Sequence, residues 1–356
     1  MSASPQSLPN SHEVLLRNRK SISGTLALIG VTDPALLAAL PDGGLAMTDH
    51  HGVFGQMQGH LRWQPAFGYD DPALQPGMAD SAVVFLPKAR SELTLRLDLA
   101  KFLLATGGRI LLIGEKREGI AGGIRQLREL ASDAIKLDSA RHCQVWLAQP
   151  QLAAGKNGEA ADHFDIAARL SWHSFEVAGT AVDVAGLPGI FSDGRLDEGT
   201  RVLLESLAEM KLQGPVLDFA CGAGPVGAWL HARSQGRLTV DGVDVQSQAV
   251  FCARRTYQRN GVQGDIIPSD GLPDTLGSYQ TVVTNPPFHT GVKTDTSMTA
   301  SFLQQAARHL KPGGQLILVA NSFLPYESLI RQHIGFCQKV GGARGFTVYK
   351  ASRTQS

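Results

Sequence analysis

Short apolar runs alternate with longer helix-like segments from about residue 212 to the C-terminal region of this chain. The runs are residues 215–220, 238–245, 281–284 and 315–320. Because this alternation is the signature of a parallel sheet covered by helices, it predicts a doubly wound α/β fold. Such a sheet binds ligands outside the carboxyl ends of its strands. Candidate functional residues are therefore expected at those ends.

Three further segments complete the predicted order of the C-terminal half. Residues 201–210 are predicted to form a helix ahead of the first strand. Residues 301–310 carry apolar side chains at helical spacing, and the Lys-Pro-Gly-Gly that follows them is a helix stop signal. Residues 345–351, GFTVYKA, are predicted to form the closing edge strand.

The N-terminal half repeats the same plan in a degenerate form. Its matching segments are 25–29, 44–49 and 81–87, a helix at 93–105, and the run 107–114, which parallels 313–320. We predict a duplicated domain that has lost the chemistry of its partner, although chance similarity between two α/β halves would give the same pattern. Four basic residues there are candidate phosphate contacts or parts of an ordinary solvated face: Lys88, Arg90, Lys116 and Arg117.

Length and composition favour two domains in a reducing compartment. With 356 residues, 43% of them hydrophobic, the chain can bury two cores. We predict a degenerate domain at 1–150, a linker and entry segment at 151–185 and a catalytic domain at 186–356. The four scattered cysteines lack a C-x-x-C pair, which argues against a zinc site or a disulfide framework. No apolar run reaches the roughly 18 residues of a spanning helix, and no signal-peptide pattern opens the chain, so a cytoplasmic location is expected.

A glycine-rich turn follows the first strand of the C-terminal half. It contains Asp218, Cys221, Gly222 and Gly224, and Asp244 ends the second strand. Two glycines let the backbone turn sharply towards a ligand, and a carboxylate about 20 residues later can accept the hydroxyls of a ribose. A nucleoside cofactor is therefore predicted. A nicotinamide cofactor is a weaker alternative because Asp218 would repel a pyrophosphate.

The pattern D-x-x-C-G-x-G in this turn resembles that of S-adenosylmethionine-dependent methyltransferases. The resemblance implies S-adenosyl-L-methionine as cofactor, and it places Asp270 where such enzymes contact the adenine. Cys221 is expected to be a small packed residue of the cofactor site and not a nucleophile, since no histidine is paired with it. No metal is predicted.

The stretch TNPPFHTG, residues 284–291, follows the predicted fourth strand. Asn-Pro-Pro-Phe resembles the motif by which methyltransferases modify an amino group conjugated to a planar system. By this resemblance Asn285 and Pro286 accept the two N–H groups of the amine while Phe288 stacks on the base. The predicted catalytic residues are thus Asn285, Pro286 and Phe288, and the predicted substrate contacts are Pro287, Phe288, His289 and Lys293.

Further segments extend the resemblance over nearly the whole chain. They include Val14–Arg17, Asp138–Cys143, LPGIFS at 187–192, RLDEG at 195–199 and Val319–Tyr326. The chain resembles the bacterial small-subunit ribosomal RNA methyltransferase C family, which makes N2-methylguanine in 16S rRNA. That resemblance implies two tandem Rossmann-like domains, the second with a largely parallel seven-stranded sheet, a target at position 1207, the assembled 30S subunit as substrate, and a monomer. It also makes Phe191, Asp197 and Gly199 secondary candidates for closing the cofactor site.

Three alternatives stay open from the sequence. One is the related guanine-N2 methyltransferase of 23S rRNA, which shares the duplicated architecture. Another is a glutamine methyltransferase, against which Phe288 counts because that class usually has tyrosine there. The third is a ribosome assembly factor that binds S-adenosylmethionine without using it, against which the intact cofactor turn and Asn285 argue.

Overall fold

The computed structural model describes residues 7–151, 163–286 and 296–354. They belong to two compact units, Met1–Arg169 and Leu170–Ser356. Each unit is built around its own mixed seven-stranded sheet with helices packed against it. No helix in the described ranges is both long and apolar enough to cross a membrane.

The first unit contains strands β1–β7 and helices α1–α5. The strands are β1 Leu26–Ile29, β2 Gly44–Thr48, β3 Trp63–Phe67, β4 Ala79–Phe85, β5 Leu104–Glu115, β6 Ile135–Ala140 and β7 Cys143–Ala148. The helices are α1 Asn10–Arg17, α2 Ala35–Ala39, α3 His51–Met57, α4 Arg90–Leu103 and α5 Ile120–Leu130. The sheet order is β3-β2-β1-β4-β5-β7-β6, with β7 antiparallel to both its neighbours and the other pairs parallel.

The second unit contains strands β8–β16 and helices α6–α10. The strands are β8 Ser171–Val177, β9 Thr180–Gly186, β10 Val216–Phe219, β11 Val240–Asp244, β12 Ile266–Pro268, β13 Tyr279–Thr284, β14 Leu310–Asn321, β15 Gly335–Ala343 and β16 Phe346–Arg353. The helices are α6 Glu198–Ala208, α7 Pro225–Arg233, α8 Ser247–Asn260, α9 Thr296–His309 and α10 Tyr326–His333. The sheet order is β12-β11-β10-β13-β14-β16-β15.

The two sheets have the same topology and nearly the same register around their first strands. Leu26 of β1 pairs with Gly44 and Ser81, and Val216 of β10 pairs with Val240 and Thr281. The predicted fold class, two tandem Rossmann-like domains of which the second has a largely parallel seven-stranded sheet, is confirmed, and the first domain has such a sheet as well. Because both faces of these sheets are covered, β1 and β10 are buried along their whole length.

The prediction that residues 345–351 form the edge strand is wrong. They belong to β16, which lies between β14 and β15 and is antiparallel to both. The edge strand on this side of the sheet is β15, GFCQKVGGA, and its glycines and its charged residue hide the strand pattern in the sequence. Short, glycine-bearing or charged edges are common because they discourage pairing with other chains.

A β-hairpin precedes the second sheet and packs on its helices. Strands β8 and β9 pair with each other, and the Trp229 indole N–H of α7 donates to the Val177 carbonyl at 3.1 Å. The Ala185 N–H donates to the Thr256 hydroxyl of α8 at 3.0 Å. Most of this hairpin falls in the predicted connecting segment 151–185, but it is part of the second unit.

Candidate functional site

The glycine-rich turn joins β10 to α7 at the carboxyl edge of the second sheet. Gly222 and Gly224 have left-handed φ angles of +55° and +81°, which glycine adopts without the steric cost of a side chain. At Gly224 a Cβ would also approach the Tyr257 ring to 3.2 Å. Helix α7 then begins with Pro225, whose ring favours the first helical position. The turn therefore brings bare backbone and a helix start to this edge, as predicted.

Two carboxyl groups lie beneath the turn. Asp244, at the end of β11, accepts from the Gly222 N–H at 2.8 Å and from the Gln246 N–H at 3.0 Å. Asp218 on β10 is 1% exposed, and its Oδ2 has no hydrogen-bond partner among the described residues. Burial, and then the nearby Asp244, raises the pKa of Asp218 well above its ordinary value. Burial also raises the pKa of Asp244. This pair is suited to a neighbouring cation or hydroxyl donor.

Asn285 directly follows β13, which is the strand next to β10 in the sheet. The Thr284 hydroxyl donates to the Phe219 carbonyl at 2.8 Å, which ties the ends of the two strands together. The Asn285 Nδ2 donates to the Thr200 hydroxyl at 3.0 Å and to the Asp197 Oδ1 at 3.3 Å. The NH₂ end of this amide is therefore held on α6, and the described residues give its oxygen no hydrogen-bond partner.

Asp197 is also the N-cap of α6. Its Oδ1 accepts from the backbone N–H groups of Gly199 at 3.0 Å and Thr200 at 3.2 Å. A Cβ at Gly199 would lie 3.3 Å from the Asn285 Nδ2 and 3.1 Å from the Phe346 ring, so glycine permits this close approach. The Asp-Glu-Gly-Thr sequence carries an N-cap signal, but the role of Thr200 was missed because nothing in the sequence links it to Asn285.

These elements border one open cleft. It brings together four of the predicted site residues, Asp218, Cys221, Gly222 and Asn285, with the secondary candidates Phe191 and Asp197. Sequence reasoning missed Arg195, Thr200 and Val226, which also line it. Phe191 is 70% exposed at this cleft, an unusual position for a large aromatic side chain.

Other predicted site residues lie near the cleft or outside the described ranges. Asp244 does not line the cleft itself but accepts a hydrogen bond from the Gly222 N–H, and Gly224 is the N-cap residue of α7. Asp270 is exposed just after β12, the strand beyond β11, so its predicted adenine contact remains a proposal. Pro286 follows Asn285 and is buried. The remaining predicted contacts, Pro287, Phe288, His289 and Lys293, lie outside the described residues.

Cys221 has the surroundings of a packing residue. Its buried side chain lies in a cluster with Val250, Ala253, Tyr257 and Ile266. Burial, followed by the nearby acidic groups, raises the pKa of the thiol well above its ordinary value, which disfavours the nucleophilic thiolate. In the described part of the chain, no group of three or more histidine, cysteine or acidic residues could hold a metal ion.

The corresponding edge of the first sheet is filled by an internal ion cluster. Arg96 of α4 is 5% exposed and donates to the Phe85 carbonyl at 2.8 Å, to Glu92 at 2.9 Å and to Asp49 at 3.1 Å. Phe85 follows the same sheet register as Asn285, and Gly30 follows β1 as Ala220 follows β10. A Cβ at Gly30 would overlap the Arg96 guanidinium. The Arg96 side chain thus occupies the position in the first unit that corresponds to the cleft of the second unit.

His12 of α1 covers the same edge from another side. Its ring stacks on Phe85 with centroids 4.4 Å apart, and its Nε2 accepts from the Thr32 N–H at 3.3 Å. Burial lowers the pKa of His12 to about 4, so the ring is neutral at pH 7. The four basic residues Lys88, Arg90, Lys116 and Arg117 are all exposed in this unit, and Arg117 pairs with Glu115 at 2.6 Å.

Two family descriptions match this chain. The family described as "Methyltransferase small domain" matches residues 181–350, and "Methyltransferase small domain N-terminal" matches residues 12–162. The two matches correspond to the two sheets.

The chain is similar along nearly its whole length to proteins named ribosomal RNA small subunit methyltransferase C. The one from Pseudomonas paraeruginosa is 40% identical over 350 residues, covering 96% of this chain and 98% of that protein. The one from Hahella chejuensis is 39% identical over 354 residues, covering 97% and 99%. A solved structure described as T. thermophilus 16S rRNA N2 G1207 methyltransferase in complex with AdoMet and guanosine has a TM-score of 0.80 and 24% identity, covering 98% of this chain and 93% of that one.

Proposed function

The chain belongs to the ribosomal RNA small subunit methyltransferase C family, and from that premise we propose that it methylates the exocyclic N2 amino group of a guanine in 16S rRNA with S-adenosyl-L-methionine. One observation supports this most directly: Asn285 and the Asp218–Gly222 turn border the same cleft. The proposed amine acceptor and the proposed cofactor turn therefore lie beside each other. The name of the T. thermophilus protein gives position 1207 as the proposed target.

The residues at the turn fit the proposed cofactor. A sulfonium is a cation, and the buried, unpartnered Asp218 Oδ2 makes the cleft favourable to positive charge. Asp244 accepts backbone N–H groups at both oxygens, and the lone pairs that remain could accept the hydroxyls of a ribose. Asp270, beyond Asp244, is the proposed adenine contact. Gly222 has no atom within 4 Å of a Cβ position, so its backbone is open to a ligand.

S-adenosyl-L-methionine supplies, when bound, a methyl group on a positively charged sulfur that leaves as a neutral thioether. The guanine amine is a weak nucleophile because its lone pair is delocalised into the ring. We propose that the Asn285 Oδ1 and the Pro286 carbonyl accept its two N–H groups, so that the lone pair turns towards the methyl group. The proton leaves to water after transfer. Alignment of this kind supplies about 7–11 kcal/mol in well-oriented reactions.

Aromatic side chains would hold the guanine ring in this arrangement. Phe288 is the proposed stacking partner, and such stacking contributes about 1–3 kcal/mol per base. Pro287, His289 and Lys293 are the proposed substrate contacts beside it. Phe191, exposed at the cleft, is a second surface on which a base or the cofactor could stack.

The proposed substrate is the assembled 30S subunit, on which the protein acts as a monomer in the cytoplasm. The first unit would support folding and contact rRNA, with exposed Lys88, Arg90, Lys116 and Arg117 meeting phosphates. The Arg96 side chain fills the edge of its sheet where a ligand would bind, which argues against a second cofactor in this unit.

Methyl transfer to different ribosomal particles tests this function. Radiolabelled S-adenosylmethionine should label 30S subunits, while 50S subunits and naked 16S rRNA should remain at background. Primer extension on the labelled 16S rRNA should stop at the modified guanine. Labelling confined to 50S subunits would assign the protein to 23S rRNA, and cofactor binding without labelling of any particle would make it an assembly factor.

Cofactor binding is expected to release a proton and to weaken as the pH falls. The pKa of Asp218 is raised in the unliganded protein, and a cation placed beside it would lower that pKa again. Affinity should therefore decrease as the pH falls through the raised pKa of Asp218 towards about 4, the ordinary pKa of an aspartate. Titration calorimetry in buffers of different ionisation enthalpy would measure the released proton. Asp218→Asn should abolish the release, and a pH-independent affinity in the wild type would refute the linkage.

A further inference from the structure

We propose that Asp197 and Thr200 are positioning residues that fix which end of the Asn285 amide faces the substrate. The proposal rests on the function given above, since it assigns a cause to the orientation that methyl transfer needs. It is carried by the two hydrogen bonds from the Asn285 Nδ2, 3.0 Å to the Thr200 hydroxyl and 3.3 Å to the Asp197 carboxylate.

The carboxylate discriminates between the two ends of the amide. An ionised carboxylate accepts hydrogen bonds and has none to donate, so the NH₂ end of Asn285 is favoured beside Asp197. A flipped amide would place two oxygens against each other. It would also present an NH₂ donor to the substrate amine, whose hydrogens need acceptors. The wrong orientation is therefore disfavoured on both sides of the amide.

Helix α6 holds this carboxylate in place. The Asp197 Oδ1 is already fixed by the N–H groups of Gly199 and Thr200, at 3.0 and 3.2 Å, so its position follows from the helix start. Side chains on the same helix pair with Arg344 at the turn between β15 and β16, at 3.0 Å for Glu198 and 3.1 Å for Glu205. The start of α6 is thus tied to both Asn285 and the sheet.

Two substitutions at Asp197 separate helix capping from amide orientation. Asp197→Ser keeps a good N-cap but is too short to reach Asn285, while Asp197→Asn keeps both the cap and an acceptor oxygen. We expect Asp197→Ser to lower kcat about tenfold, equivalent to about 1.4 kcal/mol. Asp197→Asn should recover most of that loss. Equal kcat for the two variants would overturn the proposal.

Thr200 offers the same test with a matched control. Thr200→Val keeps the shape and removes the hydroxyl, and Thr200→Ser restores it. Thr281→Val is the control, because Thr281 is also buried and its hydroxyl is hydrogen-bonded at the opposite end of β13. It donates to the Gln213 carbonyl at 2.8 Å and accepts from the Gln315 side-chain amide at 3.2 Å. We expect kcat to fall several-fold in Thr200→Val alone, with the S-adenosylmethionine Kd unchanged within about twofold. A matching rise in that Kd would make Thr200 a cofactor contact and overturn its positioning role.

A double-mutant cycle with Asn285→Ala distinguishes failure of the inference from failure of the function. If Asp197 acts through Asn285, adding Asp197→Ser to Asn285→Ala should lower kcat no further. A further tenfold loss in the double variant would refute the positioning role and leave the proposed function standing. Full activity of Asn285→Ala would refute the role assigned to Asn285, whereas absence of methyl transfer to 30S subunits by the wild type would refute the proposed function.

Discussion

Asn285→Ala is expected to lower kcat for methyl transfer to the 30S subunit about 100-fold, a loss of about 2.7 kcal/mol. The substitution removes the oxygen that would accept one amine N–H, and the amine would then be held by the Pro286 carbonyl alone. Comparable removal of one oriented group from an active site costs about 10²–10³ in kcat. Single-turnover transfer of a labelled methyl group, with the cofactor saturating, measures this step directly.

Asn260→Ala is the matched control for that experiment. The Asn260 amide, at the end of α8, also donates to two acceptors, the Asp183 and Thr256 carbonyls at 2.7 and 2.8 Å, but lies outside the cleft lining. It should leave kcat within about twofold of wild type. The S-adenosylmethionine Kd of Asn285→Ala should stay close to the wild-type value, because the proposed role concerns the amine. Unchanged kcat in Asn285→Ala would exclude the mechanism.

Local patterns in the sequence were sufficient to predict the fold, the glycine-rich turn and the strand end that border the cleft. The apolar runs at 215–220 and 281–284 became β10 and β13, because a strand buried on both faces must be apolar along its length. The D-x-x-C-G-x-G pattern located the turn, since left-handed backbone at Gly222 and Gly224 requires glycine. Asn285 was found through the Asn-Pro-Pro-Phe resemblance together with its place at a strand end.

Features set by contacts distant in sequence could not be predicted in this way. Thr200 and Asn285 are 85 residues apart, and nothing local to either indicates their hydrogen bond. The order of β15 and β16 in the sheet depends on which of them pairs with β14. Nothing in either segment's sequence favours one of these two pairings over the other. The absence of the cofactor motifs from the first unit was predicted. That Arg96 and His12 fill the corresponding edge of its sheet depends on packing and could not be predicted.

Arg96→Met is expected to destabilise the first unit by about 3–5 kcal/mol, the cost of breaking a buried ion pair by removing one partner. Arg96 and Glu92 are 5% and 4% exposed, and the substitution would leave Glu92, Asp49 and the Phe85 carbonyl without their shared donor. Hydrogen–deuterium exchange of peptides from β1 and β4 measures this locally, because complete exchange in these strands requires the first unit to open. Peptides from β10 and β13 report separately on the second unit.

Two further variants make the test specific to the buried charge. Arg90→Met, an exposed arginine on the same helix, should change exchange in β1 and β4 by no more than about 0.5 kcal/mol. The double variant Glu92→Gln with Arg96→Met should be more stable than Arg96→Met alone, because it removes the buried carboxylate that the single change leaves uncompensated. Additive losses in the double variant would contradict this account. So would binding of a second equivalent of S-adenosylmethionine by the wild type, since a ligand cannot share this edge with the Arg96 guanidinium.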